Sequence, residues 1–268
     1  MRAKSNSLFN QQLYEQKLTT SWVGHSFIFL EEIGSTNSYA KVTESSIVSE
    51  GTVILAETQT AGHGQHRRVW EAKSGENLTF SIVFKPKNPE RLSILTLACA
   101  SAIYDVARKI ASKNKVVLKW PNDVLIDGKK TAGILTETVF NGNILEKVIV
   151  GIGLNVNQVY FDNELADKAT SLSAFSDKTL CREQLLAELL SRIEYNYQRW
   201  LMRDIELIKE INSKIVGFGE WVPLEVEGTE LPSVYKFLGM NELGALQVLN
   251  KELEVNTFSY EQVRIKIG

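Results

Sequence analysis

Residues 119–137, Lys-Trp-Pro-Asn-Asp-Val-Leu-Ile-Asp-Gly-Lys-Lys-Thr-Ala-Gly-Ile-Leu-Thr-Glu, constrain the fold more than any other stretch of the chain. The β-branched and apolar runs at 116–119 and 123–126 read as two short strands, and Asp127-Gly128 is a strong hairpin turn signal. Lys129 and Lys130 then lead into a third strand-like run at 131–139. Polar groups at strand ends and beside a turn, held by apolar neighbours, are how a rigid scaffold presents a lysine, an asparagine and an aspartate to a ligand. An isolated Asp-Gly-Lys-Lys turn is more often a solvated surface hairpin, so the decision rests on the rest of the chain.

The pattern on either side builds an α+β domain. Residues 1–24 are polar and weakly patterned, a short leader with some helical character. A first strand at 27–33 is followed by Gly34-Ser35-Thr36-Asn37, a turn with N-cap residues, and a helix through Ala40 and Ile47. A buried-type strand at 52–56 leads into a long polar loop at 59–77, then an alternating strand at 78–84. Pro89 opens a helix to about Ser112, with Leu92, Leu95, Cys99, Ile103 and Val106 at helical spacing. Beyond the hairpin come a second turn at Asn141-Gly142, a strand at 144–156, a short helical piece at 163–169, and one or two amphipathic helices over about 180–212. From Gly217 short β-type runs at 222–226, 234–238, 245–249 and 263–267 make a small all-β module of the kind that closes into a barrel. The division is a leader (1–24), a catalytic-type domain with an antiparallel or mixed sheet (25–216) and a β domain (217–268).

Composition removes several classes. The formal net charge of −2 gives no global electrostatic reason to bind nucleic acid. No window approaches a membrane span and nothing behind the N-terminal residues resembles a secretory signal, so a cytoplasmic protein is expected. Cys99 and Cys181, both in helix-like apolar patterns, read as buried thiols with no zinc spacing. There is no Gly-x-Ser-x-Gly elbow, no histidine after His66 and no Walker A sequence.

Three further stretches could carry chemistry. The loop Gln59-Thr-Ala-Gly-His-Gly-Gln-His-Arg-Arg-Val-Trp70 concentrates His63, His66, Arg67 and Arg68 around Gly62 and Gly64. Such a loop offers N–H groups and cations to a polyphosphate and an aromatic face to a base, although a lone Gly-x-Gly is more often a flexible surface loop. Gly151 and Gly153 lie on what should be a buried strand, where glycine costs stability. They mark either a bulge or a close approach to the backbone. Ser35-Thr36-Asn37 is by default a helix cap, and can also bind a small polar group.

Taken together, Ser35-Thr36-Asn37, Gly62-x-Gly64…Trp70, Lys119-Trp-Pro-Asn-Asp123, Gly128-Lys-Lys-x-Ala-Gly133 and Gly151-Ile-Gly-x-Asn155 resemble biotin protein ligases in order and spacing, over about residues 25–268. The resemblance implies a catalytic domain like that of class II aminoacyl-tRNA synthetases with a C-terminal SH3-like β-barrel. It also implies the monofunctional class, a biotin–[biotin carboxyl-carrier protein] ligase without the DNA-binding winged helix. Biotin would be adenylated by ATP to biotinyl-5′-AMP and passed to a lysine on the carrier domain of acetyl-CoA carboxylase or a related biotin enzyme, by a monomer or homodimer. Magnesium would arrive with ATP, with no dedicated metal site in the protein.

By the same resemblance Lys130 contacts biotin's carboxylate and the phosphate linkage, and Asp123 shapes the site and orients the incoming carrier lysine. Ser35, Thr36, Asn37, Gln59, Gly62 and Gly133 hold biotin, with His63, Gly64 and Gln65 covering its tail. Arg67, Arg68, Trp70, Lys119, Asn122, Gly151, Gly153 and Asn155 serve the nucleotide, Trp70 stacking on adenine. One departure stands out. The family's loop usually reads Gly-Arg-Gly-Arg-x-Gly-Arg-x-Trp, and here His63 and Gln65 replace the first two arginines and Arg67 the following glycine. Lost fixed charge should loosen the grip on the adenylate unless His63, Arg67 or Arg68 compensates. Rival readings are a lipoate or octanoate ligase and, in a different class, a non-catalytic sensor of biotin or its adenylate.

Overall fold

A computed structural model describes residues 8–87, 89–162, 165–259 and 263–266. Its centre is a seven-stranded mixed sheet in the order β1-β2-β3-β7-β6-β5-β4. The strands are β1 (Phe27–Ile33), β2 (Val53–Gln59), β3 (Leu78–Phe84), β4 (Val116–Lys119), β5 (Asp123–Ile126), β6 (Lys129–Asn141) and β7 (Ile144–Leu154). Only β1 and β2 run parallel; every other pairing is antiparallel. The helices are α1 (Gln11–Lys17), α2 (Thr36–Val42), α3 (Leu92–Ile110), α4 (Arg182–Leu201) and α5 (Ile205–Lys214).

Period-two alternation sorts the central strands onto two faces. Val53, Leu55, Phe80, Ile82, Phe84, Val148, Val150 and Ile152 join the main core with α3 and α4. Ile54, Val83 and Ile149 point the other way and pack on Ala40 of α2 and Val48. Continuing along that second face, the next positions are Ser81 and Thr79 on β3, Gly151 and Gly153 on β7, and Leu135 and Gly133 on β6. A face that is apolar under α2 therefore becomes, apart from Leu135, small and polar beyond it, and that change opens a cleft.

The C-terminal strands β8 (Trp221–Val226), β9 (Thr229–Met240), β10 (Leu246–Leu249), β11 (Val255–Phe258) and β12 (Val263–Ile265) form a separate antiparallel sheet in the order β11-β10-β9-β8-β12. β11, broken up by polar Asn256 and Thr257, is the strand that the sequence pattern does not reveal. Side-chain hydrogen bonds dock this sheet on the helices: Asn212 pairs with both backbone groups of Met240, and Arg91 Nε donates to the carbonyl of Glu242.

Several expectations need correction. α2 ends at Val42, where Thr43 turns extended, so the helix does not reach Ile47. α3 starts at Leu92 rather than Pro89, after Arg91 in a left-handed conformation. Cys181 is exposed just before α4, whereas Cys99 is buried and its thiol is pushed up to about 12 by desolvation. The 163–169 helical piece begins on Asn163 and Glu164, outside the described residues; the part that follows is a hydrogen-bonded turn. The polar-looking leader contributes to the core: Phe9 and Tyr14 are buried, Tyr14 stands 4.5 Å from Phe27, and its hydroxyl donates to the carbonyl of Gly24. Among the described residues no helix is long and apolar enough to cross a membrane.

Candidate active site

The cleft floor is a register pattern. Thr79, Gly153, Gly133 and Asp123 stand side by side across β3, β7, β6 and β5, and Ser81, Gly151 and Leu135 form the next row. Both glycines of β7 sit in regular register, so they are not bulges. A Cβ on Gly151 would lie 2.4 Å from Asn37 Oδ1, and one on Gly153 would lie 2.2 Å from Trp70 Cε2. The bodies that approach the strand closely are therefore two other site residues.

Lys130 reaches this face because of an irregularity. Val124 pairs with Ala132 but Leu125 pairs with Lys130, which leaves Thr131 as an extra residue in β6. Ala132 faces the core, and by simple alternation Lys130 would do the same. The bulge switches it to the cleft side, a common use of bulges beside functional sites. The displaced backbone is satisfied elsewhere: Lys130 N–H donates to the Lys168 carbonyl, and the Lys130 carbonyl accepts from Thr170 N–H. Lys130 Nζ then lies 2.6 Å from Asp123 Oδ1 and 5.5 Å from the centre of the Trp70 ring. Asp123 Oδ1 lacks a hydrogen bond of good angular geometry, so proximity of opposite charges is what defines this pair.

Opposite lies the start of α2. Gln59 Oε1 accepts from Thr36 N–H at 2.7 Å and from Thr36 Oγ1 at 3.1 Å, which fixes the orientation of the Gln59 amide. Buried Ser81 Oγ stands 2.7 Å from Thr36 Oγ1 and 2.6 Å from Asn37 Oδ1. Asn37 Nδ2 donates to the Leu135 carbonyl and to Glu137 Oε2, and Glu137 in turn pairs with Lys41. Thr36 and Asn37 thus spend most of their capacity on protein partners. The Gln59 amide N–H groups and the Ser35 hydroxyl proton remain as donors on this wall.

The loop between β2 and β3 forms the third wall. Gly64 N–H donates to the Arg68 carbonyl and Trp70 N–H to the Gly62 carbonyl, which folds the loop back on itself. The Trp70 indole rests over Gly153 and Gly133, with Nε1 buried and, among the described residues, without a hydrogen-bond partner.

Of the residues expected from sequence, Ser35, Thr36, Asn37, Gln59, His63, Gly64, Gln65, Arg68, Trp70, Lys119, Asn122, Asp123, Lys130, Gly133, Gly151 and Gly153 line this single cleft. Gly62 is not part of the lining, and a Cβ there would lie 2.7 Å from both Gln59 Nε2 and the Trp70 carbonyl oxygen; the side chain of Arg67 lies outside the described ones. Asn155 is buried away from the lining, its Nδ2 donating to the Thr170 carbonyl. Asn122 Nδ2 is committed to the Ile134 carbonyl, so its amide N–H clamps β6. Residues that sequence reasoning missed include Ser81, Glu137, Thr79, Phe80 and, from the other sheet, Arg264. A buried serine amid apolar residues on β3 was the one available signal for Ser81.

The pattern of the Biotin/lipoate A/B protein ligase family matches residues 29–155. The bifunctional ligase/repressor BirA of Bacillus spizizenii is 34% identical over 241 residues, 88% of this chain and 73% of that protein. The chain belongs to the biotin/lipoate A/B protein ligase family. Within that family, the biotin–[acetyl-CoA-carboxylase] ligase of Mycobacterium tuberculosis is 32% identical, over 74% of this chain and 73% of its own. The solved structure of the Aquifex aeolicus biotin protein ligase in complex with biotin and ATP superposes with a TM-score of 0.78 at 33% identity, covering 90% of this chain and all of that one. The fold of that ligase is thus shared over 90% of this chain.

Proposed function

We propose that the protein is an ATP-dependent biotin ligase: it joins biotin to AMP, releasing pyrophosphate, and then transfers the biotinyl group to a lysine amine on a biotin carboxyl carrier domain, releasing AMP. The observation that carries this reading is the meeting of Lys130, Asp123, Gln59 and Trp70 in one cleft, in a chain 33% identical to a ligase solved with both biotin and ATP.

The first step brings the biotin carboxylate to the α-phosphorus of ATP, two anionic groups that repel. A fixed ammonium beside both lowers that cost, more so where water is excluded. Lys130 is the group in place for it. Ser35, Thr36 and Gln59 bind the ureido ring; Asn37 shapes that wall. Trp70 and the 62–68 loop take the nucleotide, with Lys119 and Arg68 on the phosphate side. Asp123, released from Lys130 when the ammonium turns to phosphate, accepts a proton from or orients the incoming carrier amine. Magnesium accompanies ATP and takes its ligands largely from the phosphates. Residues 25–216 form the catalytic domain and 217–268 the β domain, and the enzyme works in the cytoplasm on its carrier.

The test is direct: purified enzyme, biotin, ATP and an isolated carrier domain are mixed, and biotinylated carrier is measured by streptavidin capture. Biotin-dependent capture supports the reading. Adenylate formation without transfer points instead to a sensor, and transfer of lipoate in place of biotin points to a lipoate ligase.

A further inference from the structure

Arg264 enters the cleft from β12, on the other sheet, 199 positions along the chain from Gln65. Its Nη2 lies 3.3 Å from Gln65 Oε1 and 3.0 Å from His66 Nε2, and its Nη1 donates to the Val263 carbonyl at 2.9 Å. A guanidinium has only donors, so His66 presents Nε2 to it as an acceptor. The strand beneath is well fixed. Val263 and Ile265 are buried on either side of Arg264, and β12 is paired with β8 through Val226, Glu225 and Leu224. Its partners Gln65 and His66 ride on a short turn of the polar loop, and His66 itself adopts the left-handed backbone conformation with φ 54°.

This arrangement bears on the departure in the loop sequence. Positions 63 and 65 carry His63 and Gln65, neither of them a fixed cation. Gln65, at one of the two altered positions, is one of the residues that Arg264 contacts. Arginine keeps its charge at any pH the enzyme meets, and its planar fork suits phosphate as well as amide and imidazole acceptors.

We propose that Arg264 is a latch. It holds the 62–70 loop over the cleft through Gln65 and His66, and it brings to the adenylate phosphate the fixed positive charge missing from positions 63 and 65. Retention of the adenylate in this enzyme is then a property of the C-terminal sheet acting on the loop. The proposal rests on the reading of the cleft as an adenylation site, and it assigns Arg264 a positioning and retention role in that site.

The experiment uses the full chain, charged with radiolabelled biotin and ATP, separated rapidly from free ligands, and chased with unlabelled biotin while release of biotinyl-AMP is followed. Arg264→Gln should release the adenylate roughly tenfold faster than wild type, as expected for loss of a charge-assisted hydrogen bond in a partly buried site. The double variant Gln65→Leu/His66→Leu, which leaves β12 untouched, should do the same and decides the matter if Arg264→Gln fails to fold. Adding Gln65→Arg to Arg264→Gln returns the missing charge to the loop and should slow release again; a merely structural role for Arg264 would not respond to it. Release at the wild-type rate from Arg264→Gln or from the loop double variant overturns the latch while leaving adenylation intact. A wild-type enzyme that forms no adenylate overturns the adenylation reading and the latch with it.

Discussion

Lys130 Nζ lies 2.6 Å from Asp123 Oδ1 because Thr131 is an extra residue that turns Lys130 out of the core side of β6. Both side chains keep access to solvent, with 36% and 22% of their surface exposed, so the pair contributes only about 0–1 kcal/mol to folding. Its value is in chemistry. Lys130→Ala should lower biotin adenylation by about 100-fold or more with little change in melting temperature. Stopped-time assays of biotinyl-AMP together with a thermal melt check both halves; an unfolded variant or an unimpaired one contradicts the account.

Ser81 is fully buried and touches both Thr36 Oγ1 and Asn37 Oδ1. Ser81→Ala leaves these two atoms short of a partner, a change of about 1–3 kcal/mol. The expected result is a KM for biotin raised roughly tenfold, with the KM for ATP nearly unchanged. Equal rises in both would mean general collapse of the site.

The two glycines of β7 separate the two halves of the cleft. Gly153→Ala places a methyl where the Trp70 indole now rests, and Gly151→Ala places one against the Asn37 amide. Gly153→Ala should therefore raise the KM for ATP more than that for biotin, and Gly151→Ala the reverse. Steady-state kinetics on the two variants suffices. The same pattern from both would contradict the division.

Much of this was legible before the fold. The strands at 116–119 and 123–126 and the Asp127-Gly128 turn lie where apolar runs and turn chemistry put them, and Asp127 and Gly128 both take positive φ. The triplet at 35–37 caps α2 as its residue types imply. What sequence pattern could not reveal is cross-strand register. No Gly or Pro marks the bulge at Thr131, since it is defined only by how β5 and β6 pair. Ser81 and Glu137 gain their roles by standing beside Asn37, which lies 44 and 100 positions away in sequence. Arg264 belongs to a three-residue strand that had no reason to be assigned to the cleft. Asn155 shows the opposite case, a polar residue in a family-like motif whose amide N–H group serves the Thr170 backbone.

Glu194 on α4 accepts from the N–H groups of Ser21, Trp22 and Val23 and so ties the segment before β1 to the helix. Burial raises its pKa, but the backbone hydrogen bonds outweigh that and leave it below the ordinary glutamate value. A lowered folded-state pKa gives stability that is present above the unfolded value of about 4.3 and is lost as pH falls through the folded value. Glu194→Gln should therefore melt lower than wild type at neutral pH, and the gap should narrow as the pH falls below the ordinary glutamate range. A gap independent of pH would mean the carboxylate charge contributes nothing.

The most direct test of the central claim is exchange of labelled pyrophosphate into ATP, run with biotin and then with lipoate, on wild type and Lys130→Ala. The account predicts exchange that requires biotin, is not supported by lipoate, and disappears in Lys130→Ala. Exchange driven by lipoate alone, or biotin-dependent exchange that survives loss of the Lys130 ammonium, would contradict it.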